Sequence, residues 1–156
     1  MKQSIISLFT ILLCLSACGE EEVQPLEEAE VQENVQIIEL SSVGNEMRFD
    51  KEEIRVTAGQ PVRIVLVNEA DMDMMIHNVV IVTEGSVQEV GMAAIQEADN
   101  DYVPDMPEVL FASSLADPGE TIEFEFDPPE PGTYEFVCTF PGHFTTMRGL
   151  FIVEEE

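Results

Sequence analysis

Short alternating runs of apolar and polar residues, punctuated by Pro and Gly turns, predict an all-β domain: an antiparallel Greek-key β-sandwich with one short helical insertion. Three observations carry that expectation. Thr121-Ile-Glu-Phe-Glu-Phe126 alternates cleanly, with Ile122, Phe124 and Phe126 on one face and the glutamates on the other. Turn sequences, Ala58-Gly59-Gln60-Pro61 and Asp127-Pro-Pro-Glu-Pro-Gly132, separate such runs. Only one stretch, Ser86 to Ala98, has helical spacing.

Taken in order, Val35 to Leu40 reads as the first strand and Ile54 to Thr57 as the second. Pro61 opens the third, at a strand start where its missing N–H is tolerated. Within Val62 to Asn68, Arg63 marks the outer face, so Val62, Ile64 and Leu66 point inward. His77 to Val82 is another strand, with His77, Val79 and Ile81 in one phase. Val87, Val90, Ala94, Ile95 and Ala98 then share one side of a short amphipathic helix, although Gly91 weakens it. Asp99 to Pro107 reads as an irregular loop. Tyr134, Phe136 and Cys138 share a face of the next strand, and Gly149 to Val153 closes the domain. No internal repeat is visible.

The N-terminus reads as an export signal. Lys2 gives a minimal positive region, and Ile5 to Leu15 is apolar except for Ser7, Thr10 and Cys14, too short a run for a bilayer. Leu15-Ser16-Ala17-Cys18 resembles the bacterial lipoprotein signal, in which the cysteine is acylated and begins the mature chain; an ordinary signal cut nearby, or Cys18 as a structural thiol, are the plainer alternatives. The division expected is a signal peptide over 1–17, a lipidated Cys18 with an acidic tether over 18–34, and one domain over 35–156. Glu20 to Asn34 holds seven glutamates and no base, which predicts a solvated, self-repelling segment spanning roughly 20 Å as a coil. A helix is the competing reading, but no apolar face would dock it. The remaining roughly 120 residues suffice for one core and no second domain.

Thirty-two acids face five bases once Lys2 leaves with the signal. No basic patch can neutralise phosphates, so nucleic acid is excluded as a partner. The same field attracts cationic partners at low salt, or simply keeps the domain soluble in a salty habitat.

The scarce residues converge on one chemistry. The chain has two histidines, His77 and His143, and after residue 18 one cysteine, Cys138. Cys138-Thr-Phe-Pro-Gly-His143-Phe-Thr-Thr-Met147 sets a thiolate, an imidazole and a thioether on one short loop, lacking only the second imidazole that His77 supplies. Two His and one Cys with a weak axial Met form the donor set of a blue-copper electron-transfer centre. Pro141-Gly142 is a turn pair that can fold His143 back toward Cys138. Thiolate and thioether favour Cu(I) while imidazoles serve both oxidation states, so one geometry can serve both. Cys-x₄-His-x₃-Met alone is a weak pattern; joined to His77-Asn78, a β-sandwich and an export signal it becomes strong.

Cys138 to Met147 resembles the copper loop of azurins and auracyanins, within the cupredoxin family. His77-Asn78 resembles that family's upstream ligand and its following Asn, and Asn100-Asp-Tyr-Val-Pro104 is similar to an auracyanin loop. The resemblance covers about Val35 to Val153. It implies one copper ion, cycling between Cu(I) and Cu(II), on His77, Cys138, His143 and Met147. It also implies that Asn78 and Thr139 hydrogen-bond the two ligand segments together. The chain lacks the cysteine pair of the azurin disulfide, and Ile76 stands where azurins place a glycine whose carbonyl approaches copper.

Met72, Met74 and Met75 precede His77. They form an apolar docking rim, with Met74 and Met75 joined by Phe140, Pro141 and Phe144, or plain packing, or else a soft relay passing Cu(I) to the site. Two functions stay open. One is a non-enzymatic one-electron carrier, lipid-anchored to the bacterial cell membrane and facing the periplasm or cell exterior. Its donor and acceptor are redox proteins, with c-type cytochromes or a terminal oxidase as candidates. The other is a copper-binding protein for periplasmic delivery or storage.

Overall fold

The computed structural model describes residues 34–156. The expected signal, Cys18 and nearly all of the acidic tether lie outside the described residues.

Among the described residues, eight strands form two sheets. The first sheet has three: β1 (Gln36–Ser41), β3 (Val62–Val67) and β6 (Thr121–Phe126), with β3 in the middle. The second has five, in the order β2 (Glu53–Thr57), β8 (Arg148–Glu154), β7 (Gly132–Val137), β4 (Val80–Thr83) and β5 (Val109–Ala112). The sandwich is the one its periodicity predicts, with one refinement: β1 lies parallel to β3, and β2 parallel to β8. Both pairs join strands whose connection crosses between the sheets, a crossing that strand periodicity does not encode. All other ladders are antiparallel.

Alternation does its predicted work in β3, where Val62, Ile64 and Leu66 are fully buried. They face Phe136, Phe151 and Val79 in the sandwich core. The outer face carries Arg63, paired with Glu125 of β6 at 2.7 Å. That pair is solvent-exposed and adds little to stability.

β4 breaks the rule of alternation: Val80, Ile81 and Val82 are all buried. Its outer face is covered by α1 (Val87–Ala94), through Val87 and Val90. The helix is thus shorter than the 86–98 periodicity predicts. It ends at Ile95, with a single 3-10 turn at Ala98–Asn100. Gly91 has a packing reason that propensity alone cannot show. A Cβ there would lie 2.2 Å from the Phe144 ring, so the glycine is the seat on which that ring rests. β5 was not anticipated. Its four residues are all half-buried, with Leu110 and Phe111 against the main core and Val109 and Ala112 against the α1 cluster. A strand buried on both sides has no period of two to read.

Candidate metal centre

Four strand ends meet at one pole: the C-termini of β3 and β7, the approach to β4, and the start of β8. Cys138 follows β7 directly, and its fully buried side chain continues the inward face of Phe136. Phe140-Pro141-Gly142-His143 is a tight turn. The His143 N–H donates to the Phe140 carbonyl at 3.0 Å, and Gly142 sits at φ +90, a conformation glycine adopts freely. The chain then curls again: the Met147 N–H donates to the His143 carbonyl at 2.9 Å. The Cys138 N–H closes the loop on the Met147 carbonyl, also at 2.9 Å. Met147 is fully buried.

His77 arrives from the other side of the sequence, in a two-residue bridge with Ala116. Its Nδ1 lies 3.2 Å from His143 Nδ1 and 3.8 Å from Cys138 Sγ, while the His143 Nδ1 to Cys138 Sγ distance is 3.6 Å. The three donor atoms all fall within 4.8 Å of one another. Donors sharing one ion at about 2.0–2.1 Å from nitrogen and about 2.3 Å from sulfur have such separations.

Protonation fits the same use. Burial, and secondarily the facing His143, pulls His77 down to about 4, and burial lowers His143 as well. Both rings are therefore neutral at pH 7 with lone pairs to give. Burial pushes the Cys138 thiol up to about 12, although N–H groups of Asn78 and Phe140 work against that rise. A thiol so placed loses its proton only to a cation that takes the proton's place. The donor set of two imidazoles and one thiolate, on a loop that also carries the buried Met147, fits copper.

Asn78 and Thr139 join the segments that carry His77 and Cys138. The Thr139 N–H donates to Asn78 Oδ1 at 2.8 Å, and Asn78 Nδ2 donates to Thr139 Oγ1 at 2.9 Å. Asn78 Nδ2 also reaches the Asp101 carbonyl at 2.9 Å. Asp101 and Tyr102 are the described non-glycine residues with positive φ, and the Tyr102 ring meets Phe140 edge-on at 5.1 Å. Their part was not foreseen; the Asn100-Asp101 pair, tolerant of left-handed backbone, was the available signal.

The surface around the site needs two corrections. Met74 is 75 % exposed and Phe140 and Pro141 are half-exposed, as a docking rim requires. Met75 and Phe144, at 9 % and 5 %, are buried instead. Phe144 turns into the α1 cluster because Gly91 leaves room for it. Met75 turns inward because its carbonyl is drawn to a buried amide, Asn68, at 2.7 Å. Met72, at 52 %, replaces them on the surface.

Comparison with known proteins places this geometry. Residues 36–154 match the family model of copper binding proteins, plastocyanin/azurin family. Auracyanin-A of Chloroflexus aurantiacus is 37 % identical over 122 residues, covering 74 % of this chain and 73 % of the relative. Azurin-1 of Alcaligenes xylosoxydans xylosoxydans is 33 % identical over 118 residues, covering 69 % and 90 %. The structure of auracyanin A, described as a blue copper protein from the same Chloroflexus, superposes with TM-score 0.70 at 34 % identity over 76 % of this chain and 98 % of that one. The chain belongs to the plastocyanin/azurin family of copper proteins, which are electron carriers rather than enzymes, and its cofactor is a single copper ion.

Proposed function

We propose that this domain passes single electrons between redox proteins through a copper held by His77, Cys138, His143 and Met147, and that Cys18 anchors it by lipid to the cell-envelope membrane. The observation that carries the first part is the convergence of His77 Nδ1, His143 Nδ1 and Cys138 Sγ from segments 61 and 66 residues apart. When bound, the copper supplies the one-electron Cu(I)/Cu(II) couple. The chain's own residues do the rest. Burial keeps the imidazoles neutral and available. The Asn78–Thr139 pair fixes one ligand segment against the other, so that little needs to move when the charge changes. Of the proposed ligands, His143 alone has measurable exposure, 5 %. Its ring lies against that of Phe140, centroids 5.1 Å apart, at the end of the domain where Met74 and Phe140 reach solvent, and this ring is the route for electrons.

Support for the anchor lies in the Leu15-Ser-Ala-Cys18 sequence and in where the domain is entered. Gln36 opens β1 with its Nε2 donated to the carbonyls of Thr57 and Gln60, and its N–H to the carbonyl of Pro61. That is the end where β3 begins; the copper ligands gather where β3 finishes. Six residues of strand separate the poles by roughly 20 Å. A chain anchored ahead of Gln36 leaves the metal pole facing away from its point of attachment, open to partners. Cationic partners suit the chain's acidic field.

Delivery or storage of copper is the rival use. Ligands buried this completely favour retention. An absorption and EPR spectrum after Cu(II) addition, repeated through cycles of reduction, separates the two. A carrier shows an intense thiolate band and keeps its metal. Copper lost to a Cu(I) acceptor on first reduction would overturn the carrier reading.

A further inference from the structure

We infer that Asn68 is a positioning residue for the copper site: its buried carboxamide fixes the backbone that presents His77. The inference rests on the copper reading of His77 and goes beyond the ligands and the Asn78–Thr139 tie.

A metal-bound imidazole ordinarily donates its second ring N–H to a carboxylate, carbonyl or water, which fixes the ring's orientation. His77 has no such partner among the described residues; its Nε2 is buried and makes no hydrogen bond. The ring therefore depends on its backbone for placement. That backbone is held through Ala116, whose N–H donates to the His77 carbonyl at 2.7 Å and whose carbonyl accepts the His77 N–H at 3.2 Å.

Asn68 holds both Ala116 and the chain leading into His77. It follows β3, is 1 % exposed, and uses every hydrogen-bonding position it has. Nδ2 donates to the Ala116 carbonyl at 3.0 Å and to the Met75 carbonyl, two residues before His77, at 2.7 Å. Oδ1 accepts from Ser42 Oγ at 3.0 Å and from the Ala70 N–H at 3.1 Å. Ser42 Oγ in turn accepts the Glu69 N–H at 2.9 Å. The Asn68 backbone is itself pinned, donating to the Glu120 carbonyl and accepting from the Gly119 N–H, both at 2.9 Å. One amide thus ties the three-stranded sheet to a ligand delivered in front of the five-stranded one. An acceptor in place of Nδ2 would oppose two carbonyl oxygens, and an apolar group would leave them buried and unpaired.

The test compares Asn68→Asp, Asn68→Leu and the milder Ser42→Ala with wild type, loaded with copper. A control, Val56→Ala, removes core volume from β2 at the pole opposite the ligands. Each protein is measured for thermal stability, copper hyperfine splitting by EPR, reduction potential and electron self-exchange rate. The expected result is a changed hyperfine splitting, a shifted potential and a severalfold slower exchange in the Asn68 variants. Ser42→Ala should move the same way by less, and Val56→Ala should lose stability with its spectrum unmoved. If the Asn68 variants do not fold, Ser42→Ala decides alone. Wild-type splitting, potential and exchange in every folded variant would overturn the inference, as would equal changes in Val56→Ala. Wild type that is not blue would instead refute the copper reading beneath it.

Discussion

Replacing Gly91 by alanine sets helix propensity against packing, and the structure says which prevails. In an exposed helix the change should stabilise by about 1 kcal/mol. Here the new methyl would stand 2.2, 2.5 and 2.7 Å from three carbons of the Phe144 ring. Carbon atoms pack at about 3.5–4.0 Å, so ring and helix must part by roughly 1.3 Å. The ring is enclosed by Val80, Val82, Val87, Val90 and Val137, leaving it little room to yield. Overpacking of this kind costs about 1–3 kcal/mol, and so close an approach belongs at the upper end. The net expectation is a domain less stable by about 1–2 kcal/mol in urea unfolding. Phe144 adjoins His143, so the displacement also reaches the ligand loop and should alter the EPR spectrum. Gly91→Ala combined with Phe144→Leu should lose less than the two single changes added together, since the smaller side chain frees the space. An alanine variant more stable than wild type, with an unchanged spectrum, would refute the packing argument.

Four further outcomes are expected. Cys138→Ser should abolish the blue absorption while far-ultraviolet circular dichroism stays that of a β-sandwich; a variant that remained blue would displace Cys138 from the ligand set. Met147→Leu should keep copper and shift the reduction potential, most simply upward, because a weak ligand is exchanged at nearly constant volume; voltammetry tests this, and complete loss of copper would contradict an axial role. Copper binding should release about one proton, because at neutral pH the thiol pushed up to about 12 is protonated whereas the His77 ring pulled down to about 4 is not. Apparent affinity should then rise about tenfold per pH unit between about pH 7 and 8; calorimetry in two buffers counts the protons, and a count near zero would mean a thiolate already stands in the metal-free protein. Cys18→Ala should block processing or release a soluble, still-blue domain, and a native intact mass beginning at Cys18 without added lipid would leave a freely diffusing carrier.

What could be read along the chain was whatever a single element expresses through its own periodicity. β3 and β6 bury one face and show it as alternation, so Val62, Ile64, Leu66 and Phe126 were legible as core. β4 and β5 lie under a second layer, and their alternation is lost because Val80 and Val82 are as buried as Ile81. The parallel pairings of β1 with β3 and β2 with β8 depend on how the chain crosses between sheets, which no residue pattern states. The copper loop was legible for the opposite reason. Its proposed ligands are chemically scarce, and its one conformational demand, positive φ at Gly142, is met by a Pro-Gly pair.

The two asparagines of the site show where such legibility stops. Asn78 adjoins a proposed ligand, and the family resemblance implied its partner Thr139 in advance. Asn68 resembles any polar residue that ends a strand. Its importance comes from contacts spread over the fold: Ser42 is 26 residues away and Ala116 is 48. The buried His77 Nε2, without a partner among the described residues, is what gives those contacts meaning. With no hydrogen bond at Nε2 to set its orientation, the ring relies on its main chain, and the main chain here is held by an amide nine residues upstream. Sequence can nominate donors from their chemistry, whereas the residues that keep donors still are found only by following each hydrogen bond to its end.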